Sequence, residues 1–366
     1  MQILAVDVGT GTQDVLLFDT EKEPENALKM VMPSPTTRLA RTIRAATQFG
    51  EELLLTGVMM GGGPCAWAAG DHLEAGYRVY ATPDAARTFN DDLDEVAAKG
   101  IEVVGEDEAD RLTGVRRLRM LDFDYEVLAR AFDAFGVDLD AVDVLAVAVF
   151  DHGAAPPGYS DRLFRFEYLA ERIQTGAGLA AFAFIPDEIP DSMTRLQAVV
   201  TTAPPGRPLV VMDTAPAAVL GALEDPRVAS RQETIVANVG NMHTLAFDLR
   251  GQGQARKIAG LFEHHTGLLD RASLEGLLDQ LRAGTLSHEE LFAEHGHGAL
   301  LVSPAPVALD FVAVTGPRRG MLTGSALNPY QAVPHGDMMM AGCWGLVRAC
   351  TQALPWTAGA IEEALG

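Results

Sequence analysis

The chain has 366 residues, of which 48% are hydrophobic and 7% aromatic, and its formal net charge at pH 7 is -22. Nucleic acids and anionic membranes are bound mainly through positive charge, so this balance argues against both as partners. The N-terminus lacks a basic segment, no apolar run is long enough to span a bilayer, and three cysteines are too few for a disulfide framework. We therefore expect a cytoplasmic protein with room for two domains.

A Gly/Thr turn lies between two apolar runs at the N-terminus. Residues 3–8 form the first run, which contains a single acid, Asp7, and residues 15–18 form the second. A continuous apolar run predicts a strand that is buried on both faces. The N–H groups and hydroxyls of a turn can hold phosphate oxygens, and a carboxylate beside them can hold hydrated Mg²⁺. An ordinary hairpin without a ligand is the alternative. The candidates for phosphate contact in this turn are Gly9, Thr10, Gly11 and Thr12.

Residues 235–248 repeat this order of parts. Asn238 stands where Asp7 stands in the first hairpin, and a glycine turn and an apolar strand follow it. Two similar hairpins predict two similar domains that face each other across a cleft. The second hairpin therefore contributes its own candidates for phosphate contact, which are Asn238, Gly240, Asn241, His243 and Thr244.

The two hairpins resemble the first and second phosphate motifs of the actin, sugar kinase and heat-shock chaperone ATPase superfamily. Residues 213–218 resemble its first connecting helix, residues 337–354 its second, and a strand at about residues 309–314 the start of its adenosine motif. The resemblance implies an α/β protein with two ribonuclease H-like domains, which is the actin-like ATPase fold, and it implies ATP and Mg²⁺ in an interdomain cleft. On this basis we expect domains at residues 1–205 and 206–366.

Two positions depart from the pattern of that superfamily. Asn238 stands where catalytically active relatives usually have an acid, which weakens one metal contact. The adenosine motif reads Gly316-Pro-Arg318 instead of Gly-Gly, so that Gly316 remains a candidate for adenosine contact while Arg318 could touch phosphates. These changes permit an altered nucleotide or substrate preference, and they also permit loss of turnover.

More narrowly, the sequence resembles a prokaryotic family whose members are often labelled "putative pyruvate formate-lyase activating enzyme". Radical activating enzymes of that type hold an iron–sulfur cluster through a C-x₃-C-x₂-C run, because thiolate ligation needs clustered cysteines. This chain has only Cys65, Cys343 and Cys350. We therefore reject the label as a description of the chemistry.

A second group of candidates follows the apolar run at residues 142–150. Asp151 and His152 come at the carboxyl end of this predicted strand, where α/β folds place ligands. In sugar kinases of the resembled superfamily, an acid at this place takes the proton from the substrate hydroxyl, so Asp151 is the candidate base. Asp151 could instead cap the next turn, and Arg162 and Arg165 could instead form ion pairs with Asp161 or Glu167. The candidates for substrate contact are His152, Gly153, Arg162 and Arg165.

Four histidines and a glycine run complete the candidate residues. His264 and His265 form one pair, and His295 and His297 another, but neither pair has the cysteines or the H-E-x-x-H spacing of a zinc site. We predict that they are surface or ligand-contacting residues. Residues 61–63 are glycines before a predicted helix start, which could bind an anion or simply form a tight turn.

The sequence supports three hypotheses about function. The first is a Mg²⁺-dependent phosphotransferase or ATPase that acts on an unidentified small molecule, with Asp7 and Asp151 as its catalytic residues. The second is an ATP-driven switch that changes the state of an unidentified partner protein. The third is a nucleotide-binding module without turnover.

Overall fold

The structure of the chain is a computed structural model, which describes residues 1–174, 176, 178–253, 256–303 and 311–366. The elements of the first part are β1 (Gln2–Val8), β2 (Thr12–Asp19), β3 (Leu28–Pro33), α1 (Pro35–Phe49), β4 (Glu52–Gly57), α2 (Pro64–Glu74), β5 (Val79–Ala81), α3 (Pro83–Ala86), α4 (Leu93–Ala98), β6 (Ile101–Val103), α5 (Glu106–Arg111), β7 (Val115–Met120), α6 (Tyr125–Asp133), β8 (Val144–Val149), α7 (Asp161–Gln174), β9 (Ala183–Phe184), α8 (Thr194–Thr202), β10 (Leu209–Asp213) and α9 (Thr214–Ala222). The elements that follow are α10 (Pro226–Ala229), β11 (Glu233–Val239), β12 (His243–Arg250), β13 (Lys257–His265), α11 (Arg271–Ala283), α12 (His288–Ala293), β14 (Gly298–Leu301), β15 (Val312–Thr315), β16 (Tyr330–Gln331), α13 (Ala341–Ala353) and α14 (Ala358–Leu365). Within the described ranges, no helix has both the length and the apolar character needed to cross a bilayer.

The first sheet has the strand order β3-β2-β1-β8-β10-β9. Strands β1 and β2 form an antiparallel hairpin in which Asp7 stands opposite Asp14, and β8 and β10 run parallel to β1. All residues of β8 and β10 are buried. Such uninterrupted burial is expected where helices cover both faces of parallel strands.

The second sheet repeats this plan with the order β14-β13-β12-β11-β15-β16. Strands β11, β12 and β13 form an antiparallel meander, and β15 pairs in parallel with β11. Three antiparallel strands followed by parallel ones, present twice, are the two ribonuclease H-like domains of the actin-like ATPase fold. The predicted fold class is therefore confirmed. The strand predicted at about residues 309–314 is β15, and its first two predicted residues, 309 and 310, lie outside the described residues.

A third, parallel sheet with the order β6-β5-β4-β7 is inserted between β3 and α6. Leu53 and Leu55 of β4 belong to a core of its own, together with residues of α1 and α2. This separate sheet is not predictable from apolar runs, because its short strands have the same apolar character as those of the main sheets. Strand order reverses between β4 and β7, and ligands of α/β sheets bind beside the carboxyl ends of strands at such a point.

The chain crosses between the two main sheets through helices α9 and α13. A Cβ atom on Gly221 would overlap the carbonyl oxygen of Ala341, and one on Gly345 would overlap that of Ala217. The two helix backbones therefore touch at glycines, which permit this approach because they lack a side chain. Helix α13 then packs on β1 and β8 of the first sheet.

The sheets also fix where the two halves of the chain divide. Strand β10 belongs to the first sheet, so that sheet extends to Asp213, past the predicted boundary at residue 205. The second sheet begins at Glu233, and helix α13 returns to the first. The division by sheets therefore differs from the predicted domains 1–205 and 206–366, because the apolar run of β10 pairs with β8 rather than starting a new sheet.

Candidate functional site

The two glycine turns meet at one cleft between the main sheets. A Cβ atom placed on Gly11 would lie 2.9 Å from Nδ2 of Asn241, so the turns nearly touch. Asp7 lines the cleft from the first sheet and Asn238 from the second, as the pair of hairpins predicts. The other predicted residues that line it are Gly9, Thr10, Thr12, Gly240, Asn241, His243 and Gly316.

The turns offer backbone N–H groups to this cleft. A backbone hydrogen bond from a glycine closes each turn. Gly9 donates its N–H to the carbonyl of Thr12 (2.9 Å), and Gly240 donates its N–H to the carbonyl of His243 (3.0 Å). Within the described part of the chain, no hydrogen bond uses the next N–H groups, those of Thr10, Gly11, Asn241 and Met242. Successive free N–H groups at a turn form an anion-binding concavity, and here they come from both domains.

Two carboxylates, the half-buried Asp7 and the buried Asp14, stand opposite each other in the hairpin that lines the cleft. Asp7 and Asp14 are cross-strand neighbours, and both line the cleft. Burial raises the pKa of Asp7 to about 7, although a hydrogen bond from the Thr214 hydroxyl lowers it. Burial and the charge of Asp7 raise the pKa of Asp14 to about 8.

This pair fits a divalent cation. Asp14 is 8% exposed, and its buried Oδ1 atom has no hydrogen-bond partner among the described residues. A cation would relieve the repulsion between the carboxylates and give the free oxygen a partner, and Mg²⁺ prefers oxygen ligands. Sequence reasoning missed Asp14, although pairing the two strands from the Gly9 turn places it opposite Asp7.

The far end of the cleft is formed by the predicted adenosine motif. Gly316 has a φ angle of +95°, and a Cβ atom there would lie 2.5 Å from the carbonyl oxygen of Val239. Glycine is therefore required where this loop passes the second hairpin. Arg318 donates its backbone N–H to the carbonyl of Val239 (2.9 Å) and does not line the cleft. Its side chain is exposed, so the contact between Arg318 and phosphate stays a prediction.

A side cavity of about 1060 Å³ adjoins the cleft. Four of the candidate residues that follow β8 line this cavity, namely Asp151, His152, Gly153 and Arg162. The cleft and the side cavity share one wall. This wall consists of Phe150, His152, Arg195 and the glycines at residues 61–63.

Asp151 is held by two backbone groups. It is 1% exposed; its Oδ1 atom accepts the N–H of Gly153 and its Oδ2 atom that of Leu196, both at 2.9 Å. Leu196 lies in the first turn of α8, so the carboxylate caps that helix as well as its own turn. Burial raises the pKa of Asp151, although these two hydrogen bonds lower it. This geometry matches the turn-capping alternative.

Arg162 and Arg165 have partners other than those predicted. Arg162 donates to the carbonyl of Gly296 (2.6 Å), which ties α7 to the second domain at the edge of the side cavity. Arg165 is fully buried and donates to Asp213 (2.5 Å) and to Glu263 (3.3 Å). The prediction that Arg165 contacts substrate is therefore wrong, because its guanidinium joins the two domains inside the protein.

Thr244 also lies away from the cleft. Its hydroxyl is buried and shares a hydrogen bond of 2.9 Å with the hydroxyl of Thr266. Side chains alternate between the two faces of a strand, so His243 faces the cleft and its neighbour Thr244 cannot. The prediction that Thr244 contacts nucleotide is therefore wrong.

Helix α8 and the segment around the inserted sheet supply functional candidates that were not predicted from the sequence. Arg195 forms a bidentate pair with Asp122 (2.7 and 3.1 Å), and the same carboxylate accepts the N–H of Gly61. Asp91 lines the side cavity, and its buried Oδ1 atom has no partner among the described residues. Burial, with the charges of nearby aspartates, raises the pKa of Asp91 to about 6.

Comparisons with known proteins place the chain in a family. The family described as "Putative pyruvate format-lyase activating enzyme (DUF1786)" matches residues 60–321. A comparison with curated protein sequences finds no match. One similar solved structure is the activator of the 2-hydroxyisocaproyl-CoA dehydratase from Clostridium difficile with bound ADPNP (8% identity, 98% of this chain and 98% of that chain, TM-score 0.36). Another is the inorganic polyphosphate/ATP-glucomannokinase from Arthrobacter sp. strain KM (12% identity, 96% of this chain and 99% of that chain, TM-score 0.33). Because the family model covers more than half of its length, the chain belongs to the DUF1786 family.

Proposed function

We propose that the chain binds a Mg²⁺-nucleotide in the interdomain cleft and acts as an ATP-dependent phosphotransferase or ATPase. The observation that carries this proposal is that a single cleft offers groups for an anionic phosphate and groups for a cation. Free turn N–H groups from both domains suit phosphate oxygens, and the carboxylates Asp7 and Asp14 suit the cation. Bound Mg²⁺ would neutralise phosphate charge during phosphoryl transfer.

The side cavity is the proposed site of a small-molecule acceptor. Its volume of about 1060 Å³ is ample for a metabolite, and it shares a wall with the cleft. Arg195 lies in that wall, and its bidentate pair with Asp122 fixes its position. A fixed cation where the cavities meet would stabilise charge that develops on a transferring phosphoryl group.

The side cavity contains two candidates for the base that takes the acceptor's proton. Asp91 has a free carboxylate oxygen and a pKa raised to about 6 by burial, which suits proton transfer near neutral pH. Asp151, the residue predicted from the sequence, has both oxygens engaged by backbone N–H groups. We therefore propose Asp91 as the base and Asp151 as the residue that holds the cavity wall in place.

The iron–sulfur chemistry implied by the family description is not part of this proposal. A cluster needs cysteine thiolates close together. Cys65 lies in α2, whereas Cys343 and Cys350 lie in α13, and all three are buried.

A switch that acts on a partner protein is the second candidate function. The buried ion pairs of Arg165 favour it, because they join Asp213 of the first domain to Glu263 of the second. A change in domain closure would therefore change these contacts. ATP turnover that depends on a small-molecule acceptor would support the first function. Turnover that depends on a partner protein would support the second, and binding without turnover would leave a nucleotide-binding module.

Calorimetric titration tests nucleotide binding directly. We expect wild-type protein to bind ATP with Mg²⁺ and more weakly with EDTA. Asp7→Asn removes the negative charge that holds hydrated Mg²⁺, so the Mg²⁺-dependent affinity should fall about 10–100-fold. The exposed Asp187→Asn is the matched control and should bind as wild type does. Equal affinity with and without Mg²⁺, or unchanged affinity in Asp7→Asn, would contradict the proposed cation site.

The identity of the base is tested by comparing two variants. Asp91→Asn should keep ATP affinity and lower acceptor-dependent turnover by about 10²–10⁴-fold, the usual contribution of a positioned base. Asp151→Asn should mainly lower thermal stability, by about 0.5–2 kcal/mol, because its amide nitrogen faces a backbone donor. If Asp151→Asn is folded and inactive while Asp91→Asn turns over normally, Asp151 is the base, as the sequence predicts.

A further inference from the structure

Three histidines from separate segments meet between the cleft and the side cavity. One ligand nitrogen from each of His243, His265 and His297 lies within 4.8 Å of the other two. His243 lines the cleft, and His265 and His297 line the side cavity. We propose that these three histidines bind one divalent transition-metal ion of the Zn²⁺ class, at a site that does not depend on the proposed nucleotide function.

The backbone fixes the positions of these histidines. His243, the first residue of β12, stands directly opposite His265, the last residue of β13, in the antiparallel register. His297 precedes β14, and its N–H donates to the carbonyl of Glu263 (2.9 Å), which brings it beside the other two. The three rings have centroid distances of 4.5–5.2 Å. The cluster is therefore set by strand pairing and not by a mobile surface loop.

A buried carboxylate supports the cluster from behind. Glu263 is fully buried, and its Oε1 atom lies 3.0 Å from Nδ1 of His243. Nδ1 bonded to a carboxylate leaves Nε2 of His243 for a metal, which is the usual arrangement behind metal-binding histidines. Glu263 itself is held by Arg165. Burial would raise the pKa of Glu263, but Arg165, His297 and His243 together outweigh burial and lower it.

The other two histidines are placed to act as metal ligands. His297 is 1% exposed, and its Nδ1 atom has no hydrogen-bond partner among the described residues. His265 is half-buried and lines the side cavity next to it. A buried ring nitrogen without a partner is costly unless a ligand completes it.

The number and type of ligands indicate the class of ion and its task. Three imidazoles suit Zn²⁺ and related ions, and three protein ligands leave a fourth position open, as in catalytic zinc sites. Zn–N bonds of about 2.0–2.1 Å place tetrahedral nitrogens roughly 3.3 Å apart, so small side-chain rotations would complete the site. The open position would take an oxygen ligand, either water or an oxyanion that enters from the side cavity.

The proposed site combines the histidines differently from the two pairs seen in the sequence. The site takes one histidine from each pair, His265 and His297, and adds His243, which the sequence placed with the nucleotide contacts. His264 is 4% exposed and approaches the carbonyl of its neighbour His265 with Nδ1 (3.1 Å). His295 is exposed on the loop, with a φ angle of +68°.

Cobalt titration of the full chain, after treatment with EDTA, tests the site. Tetrahedral Co²⁺ absorbs visible light, so binding and coordination are read from one spectrum. Wild-type protein should bind one equivalent of Co²⁺ and release it to Zn²⁺. His265→Gln and His297→Gln should each weaken Co²⁺ binding by more than about 100-fold, because loss of a supporting residue alone typically costs 10–100-fold. Glu263→Gln should weaken it within that smaller range.

His295→Asn is the matched control, because asparagine tolerates a positive φ angle and the residue is exposed on the same loop. It should bind Co²⁺ as wild type does. Because His297 is buried and its variant could fail to fold, the half-buried His265 is the decisive position. Absence of stoichiometric Co²⁺ binding in wild type, wild-type affinity in a folded His265→Gln, or an equal loss in His295→Asn would each overturn the proposal.

Discussion

Replacement of Gly342 by alanine should weaken Mg²⁺-dependent nucleotide binding by up to about 100-fold, which is the scale expected when a binding group is displaced by about 1 Å. Gly342 lies in the first turn of α13, directly against the first hairpin. A Cβ atom at this position would overlap Oδ2 of Asp7. The Thr214 hydroxyl donates to Oδ1 of the same carboxylate, so the added methyl group should push Asp7 away from the position in which it would hold the cation.

The same substitution should cost only about 1–3 kcal/mol of stability, the usual range for an added methyl group in a packed site. ATP affinity is measured by calorimetry with Mg²⁺, and folding by the thermal midpoint. Gly276→Ala is the matched control, because Gly276 lies in helix α11 with open space where its Cβ would stand. Alanine there should leave binding unchanged and slightly stabilise the helix. A folded Gly342→Ala that binds Mg²⁺-ATP as wild type does would exclude Asp7 from the cation site.

The central parts of the cleft were predictable from the sequence because each is encoded by neighbouring residues. An apolar run, one acid and a glycine turn specify the hairpin that carries Asp7, and the same order of parts around Asn238 specifies its counterpart. The repetition then predicts that both turns face one cleft, and they do. Asp14 could have been found in the same way, since the strands pair outward from the turn at Gly9.

The side cavity and the histidine cluster were not predictable in this way, because their residues are joined only by the tertiary fold. His243 and His265 become neighbours through the register of β12 and β13, and His297 joins them through one backbone hydrogen bond. Asp91 reaches the cavity because a whole sheet is inserted between β3 and α6. Arg165 looked like a substrate ligand from its position after β8, but only the folded chain shows that two buried carboxylates enclose it.

Replacement of Arg165 by methionine should destabilise the protein by about 3–5 kcal/mol, the usual cost of removing one partner of a buried ion pair. Arg165 and Glu263 are 0% exposed and Asp213 is 2% exposed, so both carboxylates would lose their counter-charge without gaining water. Methionine keeps much of the volume, which leaves the uncompensated charge as the main change. In a Glu263→Gln background, the same replacement should cost less, because one of the two charges is already absent. Equal costs in the two backgrounds would show that Arg165 and Glu263 do not interact.

The loss of stability in Arg165→Met should depend on pH in a way that identifies its cause. In the wild type, Arg165, His297 and His243 together lower the pKa of Glu263, so these contacts stabilise the fold at neutral pH and cease to do so only in strong acid. Without Arg165, burial is opposed only by the two histidines, so we expect the pKa of Glu263 to rise and the folded variant to bind a proton that the unfolded chain releases. Its stability therefore rises as the pH falls, and the difference in thermal midpoint from wild type, measured without metal, should be smaller at pH 5 than at pH 8. A difference that stays the same at both pH values would mean that lost packing, and not an unpaired buried charge, weakens the variant.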